Sequence, residues 1–136
     1  MKINLDQKVY ALSGKAFTDS EDKPLTLRTA IEEILTNAPA ISEEDKVSQQ
    51  LKLTRYELSL RVKFNKGDTI DITSEDISLI KRLGIYLRTD LYGYIVYLLE
   101  GKDTPIIPED EKKHPPEKTE IRDRPAPKAD PEISQG

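Results

Sequence analysis

The sequence predicts a mostly α-helical small domain of four helices with a minor N-terminal β element, followed by a disordered tail. Apolar residues recur at helical spacing in four segments. A looser alternation of apolar and polar residues over residues 2–17 indicates short strands. After Gly101, the last 35 residues contain seven of the nine prolines, 16 charges and no aromatic residue, too little apolar surface to offset the entropy of ordering them. We therefore expect a compact domain over residues 1–101 and a flexible, acidic, proline-rich tail over residues 102–136.

The N-terminal segment is expected to form short extended pieces with a turn at Ser13-Gly14, followed by a polar loop over residues 18–24. The first helix should follow Thr26, which is a good N-cap. The apolar residues after it have the three- and four-residue spacing of one helix face: Leu27, Ala30, Ile31, Ile34, Leu35 and Ala38. Pro39 should end this helix.

The second helix is predicted to begin at Ser42, where acidic residues follow the cap, and to continue to about Asn65. It has two apolar stripes on opposite faces, the first formed by Val47, Leu51, Thr54, Leu58 and Val62, the second by Leu53, Tyr56, Leu60 and Phe64. A helix with two apolar faces is covered on both sides. Either it is the central helix of the domain or one face is an interface, which includes an interface with a second copy.

Residues 69–72 predict a short strand that pairs with the N-terminal one. Thr73, with Asp76 three residues later, is a strong start for the third helix, which runs to Gly84. Residues 85–88 either continue that helix or connect to a new cap at Thr89. The fourth helix, residues 90–100, is the most apolar segment of the chain, and we expect it to be the central element of the core.

Composition excludes several classes of chemistry. The chain has no cysteine, and its one histidine, His114, lies in the predicted tail, so no Ser–His, Cys–His or His-ligated metal site is available to the domain. A group of carboxylates at Asp68, Asp71, Glu75 and Asp76 lacks the spacing of a calcium loop and is better explained by turn and helix-start positions. No glycine-rich phosphate loop is present. We therefore predict a protein that is not an enzyme and has no metal or cofactor.

Charge and hydropathy predict the compartment and the class of partner. The net charge of −4 divides evenly, with 14 basic and 16 acidic residues before residue 102 and seven basic and nine acidic residues after it, which disfavours nucleic acid as a partner. No apolar run approaches the ~20 residues of a membrane span, and the N-terminus lacks the apolar stretch of a signal peptide. We expect a cytoplasmic protein that does not contact a membrane.

Aromatic residues are the candidates for a protein contact. Four tyrosines, Tyr86, Tyr92, Tyr94 and Tyr97, occur within twelve residues, and tyrosine is frequent both at the edges of cores and at interfaces. Tyr94 and Tyr97 share a side of the fourth helix and are the first candidates, followed by Tyr86 and by Tyr56 and Phe64 on the second stripe of the second helix. The alternative is that the tyrosines lie at the edge of the core.

Two further patterns have a less specific meaning. The third and fourth helices resemble a helix-turn-helix, in which Lys81, Arg82 and Arg88 would contact phosphates, but Asp90 stands where base contacts are made. Residues 105–108 have PxxP spacing, which is typical of a stiff spacer as well as of a binding motif. Ile106 and Ile107 within that segment are candidates to pack back on the domain.

Two segments support a resemblance to a known class of proteins. The run of residues 25–31 before the first helix, and the run of residues 70–81 before the last apolar helix, resemble small uncharacterised accessory proteins of tailed bacteriophages and prophages. The resemblance covers about residues 1–100 and excludes the tail. It implies an accessory protein that acts in the cytoplasm of a bacterial host, and it implies no functional residue.

Taken together, these patterns predict a non-catalytic module that binds a host or phage protein through its helical surface. One alternative is a minor virion component or an assembly chaperone, whose tail would become ordered on binding. A second alternative is a DNA-binding regulator, which the charge disfavours.

Overall fold

The computed structural model describes residues 1–40 and 42–109. These residues form five α-helices, a 3₁₀ turn at Gly84–Tyr86 and a two-stranded sheet, in the order β1 (Lys2–Asn4), α1 (Leu27–Asn37), α2 (Glu43–Val47), α3 (Gln49–Lys63), β2 (Thr69–Asp71), α4 (Ser74–Leu83) and α5 (Thr89–Glu100). The predicted fold class, mostly helical with a minor N-terminal β element, is confirmed. Most of the predicted tail lies outside the described residues.

The two short strands pair as predicted. Strands β1 and β2 are antiparallel, with Ile3 opposite Ile70, and both of these side chains are buried. The N-terminal amine donates a hydrogen bond of 3.0 Å to the carboxylate of Asp71 at the end of β2. The sheet thus joins the start of the chain to the segment before α4.

The chain between β1 and α1 makes an extended excursion with two turns. Single bridges join Lys8 to Thr26, Tyr10 to Ala16 and Thr18 to Pro24. The turn predicted at Ser13-Gly14 is confirmed, because the Gly14 amide donates to the carbonyl of Ala11 with the glycine at φ +90°. The excursion therefore consists of bridged extended pieces rather than regular strands.

Helix α1 is the central element of the core. It buries Leu27, Ala30, Ile31, Ile34 and Leu35 and packs against both α3 and α4. The prediction that the last helix is central was wrong, because α5 buries only Ile95 and Leu99 among its described residues. The apolar content of a segment measures how much surface it could bury, whereas burial depends on how many neighbours surround it.

The second predicted helix is divided at Ser48, which corrects the prediction of one helix over residues 42–65. The backbone of Ser48 is extended, and its hydroxyl accepts a hydrogen bond from the amide of Leu51, so that it caps the N-terminus of α3. Serine side chains compete with the helical backbone in this way. As a consequence Val47, predicted to continue the first stripe, is 80% exposed, whereas Leu58 and Val62 in the same stripe are buried.

Helices α1 and α3 are antiparallel, and each end of the pair is closed by an arginine from the other helix. Arg55 in α3 donates to the carbonyls of Leu35 and Ala38, at 2.7 and 2.9 Å. Arg28 in α1 donates to the carbonyls of Val62, Asn65 and Gly67, at 2.7, 3.2 and 2.8 Å. The bonds to Leu35 and Val62 satisfy carbonyls in the last turns of α1 and α3, and the other bonds fix the segments that follow these helices.

Local capping signals determine the other helix ends. The Thr26 cap is confirmed, and Thr73 and Asp76 form the reciprocal capping box that their spacing predicts. Gly101 ends α5 in the left-handed conformation at φ +69°. The predicted cap at Thr89 is displaced by one residue, because Arg88 occupies the cap position and Thr89 is already helical.

The first eight residues after Gly101 return over the N-terminal turn. The amide of Glu109 donates to the carbonyl of Gly14 at 2.7 Å, and a Cβ atom at Gly14 would lie 2.3 Å from the carbonyl oxygen of Ile107. Of the two isoleucines predicted as candidates to pack back, Ile106 is half-buried and Ile107 is 58% exposed. Residues 102–109 therefore lie against the helical domain.

Candidate protein-contact surfaces

On the described part of the chain, two exposed apolar surfaces contain most of the residues predicted as protein contacts. The first, which we call the tyrosine groove, lies between α5 and residues 104–106 and is lined by Leu12, Gly93, Tyr94, Tyr97 and Ile106. The second, which we call the α3 stripe, consists of Leu53, Tyr56, Leu60 and Phe64. Tyr94 and Tyr97, the first predicted contact residues, are together in the groove. Tyr56 and Phe64 are together in the stripe.

The tyrosine groove is an open depression of ≈ 660 Å³ with an apolar rim. On that rim Leu12 is 79% exposed and Tyr97 is 41% exposed. Tyr94 is half-buried, packs against the core and meets the ring of Tyr10 edge to face, with 5.9 Å between the ring centroids. The groove therefore combines one aromatic side chain held by the core with two apolar side chains open to solvent.

Gly93 forms part of the lining where the helix backbone itself is accessible. Glycine inside a helix costs roughly 0.5–1 kcal/mol relative to alanine. Packing does not require it here, because among the described residues a Cβ atom at this position would have no atom within 4 Å apart from its chain neighbours and the backbone of its own helix. The missing side chain leaves the backbone of α5 open to close approach from the groove.

Charged groups at both ends of the groove are already paired. At one end the guanidinium of Arg88 makes two hydrogen bonds to Asp90, at 2.7 and 3.1 Å, and lies 5.6 Å from the ring of Phe17. At the other end Lys102 lies 3.1 Å from the carboxylate of Glu100 and 5.5 Å from the ring of Tyr97. A charged ligand would have to compete with these pairs, so the groove favours an apolar one.

The α3 stripe lies on the face of α3 opposite the core. Leu53, Tyr56, Leu60 and Phe64 are 56%, 60%, 38% and 67% exposed. At 100° per residue these four positions fall within about 80° of the helix circumference and extend along about 16 Å of its axis. The ambiguity in the sequence is thus resolved: one stripe of this helix faces the core and the other faces solvent.

Four charged residues border the α3 stripe, with Lys52 and Lys63 on one side of it and Glu57 and Arg61 on the other. Arg61 lies 3.4 Å from the carboxylate of Asp76, and Lys63 lies 3.7 Å from that of Glu32. Glu57, one helical turn before Arg61, has no ion-pair partner among the residues that the structure describes. An unpaired carboxylate therefore stands beside the middle of an exposed apolar stripe.

The other tyrosines lie elsewhere. Tyr86 is 39% exposed, and its pKa is raised by burial and by the nearby carboxylate of Glu33. Tyr92 is half-buried, and its hydroxyl donates to the carbonyl of Lys81 at 3.0 Å, as the core-edge alternative describes. Tyr86 is not among the residues that line the groove, and it lies beside Glu33 of α1.

The cations of the predicted helix-turn-helix are all engaged with carboxylates. Lys81 lies 2.5 Å from Glu100, Arg82 contacts Asp45, and Arg88 is bound to Asp90. The carboxylate of Glu100 raises the pKa of Lys81, and Lys81, followed by Lys102, lowers the pKa of Glu100. Phosphate contacts by these side chains would require the pairs to be broken.

The predicted carboxylate cluster is also accounted for by local contacts. Asp76 completes the capping box and accepts from Arg61, while the N-terminal amine beside Asp71 lowers the pKa of that carboxyl. Within residues 1–40 and 42–109, no three acidic or histidine side chains are grouped so that they could hold a metal ion. In the same residues, no helix is long and apolar enough to cross a bilayer.

Sequence reasoning did not identify Leu12 and Gly93 as groove residues. Both have a detectable signal: an apolar residue directly before a turn, and a glycine inside an otherwise strong helical pattern. Neither signal names a partner element, because residues 104–106 approach α5 only in the folded chain.

Comparison with known proteins identified no relative. No protein-family model, no curated protein and no solved structure matches this chain. The resemblance to bacteriophage proteins therefore stays a prediction, and the two surfaces are the basis for any functional proposal.

Proposed function

We propose that this chain is a non-catalytic accessory protein that binds another protein through the tyrosine groove. The observation behind this proposal is the combination of exposed Leu12 and Tyr97 with the open helix backbone at Gly93. Apolar side chains exposed around a depression are typical of interaction sites, and aromatic residues dominate the energy of such contacts.

The chemistry of the lining defines the kind of partner segment. Because the charges at both ends are paired, the favourable contribution comes from burying apolar surface. Gly93 lets a partner backbone or a large side chain approach α5 closely, as glycine does at packed helix contacts. We infer a partner segment that presents one or two large aliphatic or aromatic side chains, such as an amphipathic helix.

The setting of the partner follows from the predicted resemblance. In a bacteriophage context the partner would be a host protein or another phage protein, and the chain would act in the bacterial cytoplasm. If the chain is instead a virion component or assembly chaperone, the partner would be a structural subunit of the particle. Both cases use the same groove chemistry, so a single experiment serves both.

The test is an affinity pull-down with the full chain from cells that encode it, read by mass spectrometry, together with a search for the chain in purified particles. The informative variant is Gly93→Leu, which fills the groove from a position where the added Cβ meets no other atom. Leu53→Lys, on the α3 stripe, is the matched control. We expect a specific partner to be captured by the wild type and by Leu53→Lys, and lost with Gly93→Leu. A partner retained at wild-type level by Gly93→Leu would show that the groove is not the contact.

A further inference from the structure

The α3 stripe lies on a different helix from the tyrosine groove, so a partner bound in the groove would leave this apolar surface exposed. We propose that it joins two copies of this chain as an antiparallel, two-fold symmetric pair of α3 helices. The occupant of the stripe is thus the α3 stripe of a second copy. The symmetry of the stripe, its bordering charges and its area support this pairing.

The stripe is self-complementary when read in opposite directions. It alternates leucine and aromatic residues, and its midpoint lies between Leu58 and Ser59. An antiparallel pair centred there sets Leu53 of one copy beside Phe64 of the other and brings the two Leu60 side chains close to the two-fold axis. Small and large apolar side chains then interdigitate along the seam.

The charges on one side of the stripe favour the antiparallel orientation, whereas Lys52 and Lys63 on the other side are both basic and form no attractive pair across the dimer. Glu57 and Arg61 both lie on the same side of the stripe, about one helical turn apart. In an antiparallel two-fold pair, the side of one helix that contains Glu57 and Arg61 faces the same side of the other helix. Measured along the helix axis, Glu57 then lies within about 2 Å of Arg61 of the second copy. In a parallel pair these residues would lie on opposite sides of the seam.

Both members of this charge pair are available. Glu57 has no partner within the described residues, and Arg61 uses two of its five N–H donors on Asp76 and on the carbonyl of Asp71. Two-fold symmetry forms the Glu57–Arg61 pair twice. The carboxylate that is unpaired in one copy is therefore paired in the dimer.

The area of the stripe sets the expected strength. From their exposed fractions, the four side chains offer roughly 450 Å² per copy, and the polar border increases this to roughly 600 Å². The total of roughly 1,200 Å² is at the lower end of standard protein interfaces. We therefore expect a reversible dimer whose population depends on concentration.

The first test is sedimentation velocity of the full chain from low micromolar to near-millimolar concentration. The weight-average mass of the wild type should rise from monomer towards dimer, and Leu53→Lys should remain monomeric throughout. Leu12→Lys changes a leucine outside the stripe that is more exposed than Leu53, at 79% against 56%, and should dimerise as the wild type does. A wild type that stays monomeric over the whole range, or equal losses in the two variants, would overturn the proposal.

The second test distinguishes the orientation by disulfide formation, which is clean because the chain contains no cysteine. Leu60→Cys lies near the two-fold axis and should form a symmetric disulfide. Two Leu53→Cys side chains would be about 16 Å apart in the antiparallel pair, beyond the reach of a disulfide. A mixture of Leu53→Cys and Phe64→Cys should crosslink to each other. Efficient self-crosslinking of Leu53→Cys would indicate a parallel pair and would contradict the proposal.

The two proposals fail separately. The groove is tested by Gly93→Leu, with Leu53→Lys as control, and the seam is tested by Leu53→Lys, with Leu12→Lys as control. Loss of dimerisation leaves capture of a partner unaffected, and loss of capture leaves dimerisation unaffected.

Discussion

The two faces of helix α3 contain the same kinds of side chain and have opposite surroundings. Leu58 is 2% exposed against α1, whereas Leu53, from the same helix, is 56% exposed. Residue type therefore does not determine which face is buried; the position of α1 does. The inner face should supply folding free energy, and the outer face should supply binding free energy.

The largest effect is expected on the inner face of α3, which packs against α1. Leu58→Ala should lower the free energy of unfolding by about 2–5 kcal/mol, because it leaves a cavity against α1. Leu53→Ala, the matched change on the outer face, should change it by less than about 0.5 kcal/mol. Chemical denaturation followed by circular dichroism measures both, at a concentration low enough to keep the chain monomeric. Equal losses in the two variants would mean that the outer face is also packed in the monomer.

A somewhat smaller effect concerns the hydrogen bonds of Arg28, which help to determine which face of α3 packs against α1. Arg28→Met should destabilise the domain by about 1–3 kcal/mol, because the carbonyls of Val62, Asn65 and Gly67 lose a charged donor. Thermal unfolding measures the loss. Lys63→Met, at the same end of α3, is the control. It should have little effect, because the Lys63 side chain is 60% exposed and lies 3.7 Å from Glu32. A neutral result for Arg28→Met would mean that packing alone orients the helix.

A stabilising change would sharpen the distinction between folding surface and binding surface on α5. Gly93→Ala should raise the free energy of unfolding by about 0.5–1 kcal/mol, since alanine is the better helix former and its Cβ meets no atom. The same methyl group should weaken capture of the groove partner. Denaturation measures the free energy of unfolding, and a pull-down with the same protein sample measures how much partner is captured. Destabilisation by this change would show that Gly93 is needed for packing.

The smallest effect concerns the partly buried ion pair between Lys81 and Glu100. The folded-state pKa of Glu100 is lowered, chiefly by Lys81, so its contribution is present above the ordinary value of 4.5 and is lost as the pH falls through the folded value. The folded-state pKa of Lys81 is raised, so that contribution is lost only as the pH rises beyond 10.5. Lys81→Met should therefore lower the melting temperature slightly at neutral pH and have less effect well below pH 4.5. A constant difference at both pH values would assign the effect to packing of the lysine stem.

Local signals predicted the helix ends well and the arrangement of the helices poorly. Thr26, Thr73 with Asp76, and Gly101 are caps that depend on side chains and backbone within a few residues, so the sequence contains the whole interaction. The break at Ser48 is equally local but was missed, because serine is compatible with both a helix interior and a cap. Boundaries were thus predictable wherever one local interaction had no competitor.

The candidate contact residues show the same division. The pairing of Tyr94 with Tyr97 and that of Tyr56 with Phe64 follow from helix periodicity, and the structure places each pair on one surface. Leu12 and Ile106 join the first surface through contacts between segments about ninety residues apart, which periodicity does not describe. Hydropathy likewise did not predict that α1, and not α5, is the central helix of the core.

By itself, the sequence determined the helical class, the caps and the existence of two apolar faces on the helix that contains Leu53 and Leu58, since these depend on spacing and short-range bonds. Only the tertiary structure decided which face is covered, that Arg28 and Arg55 close the opposite ends of the helix pair, and that residues 104–106 border a groove on α5. The physical reason is that burial and long-range hydrogen bonds are properties of neighbours in space, and a chain of this length brings together residues that its order keeps far apart.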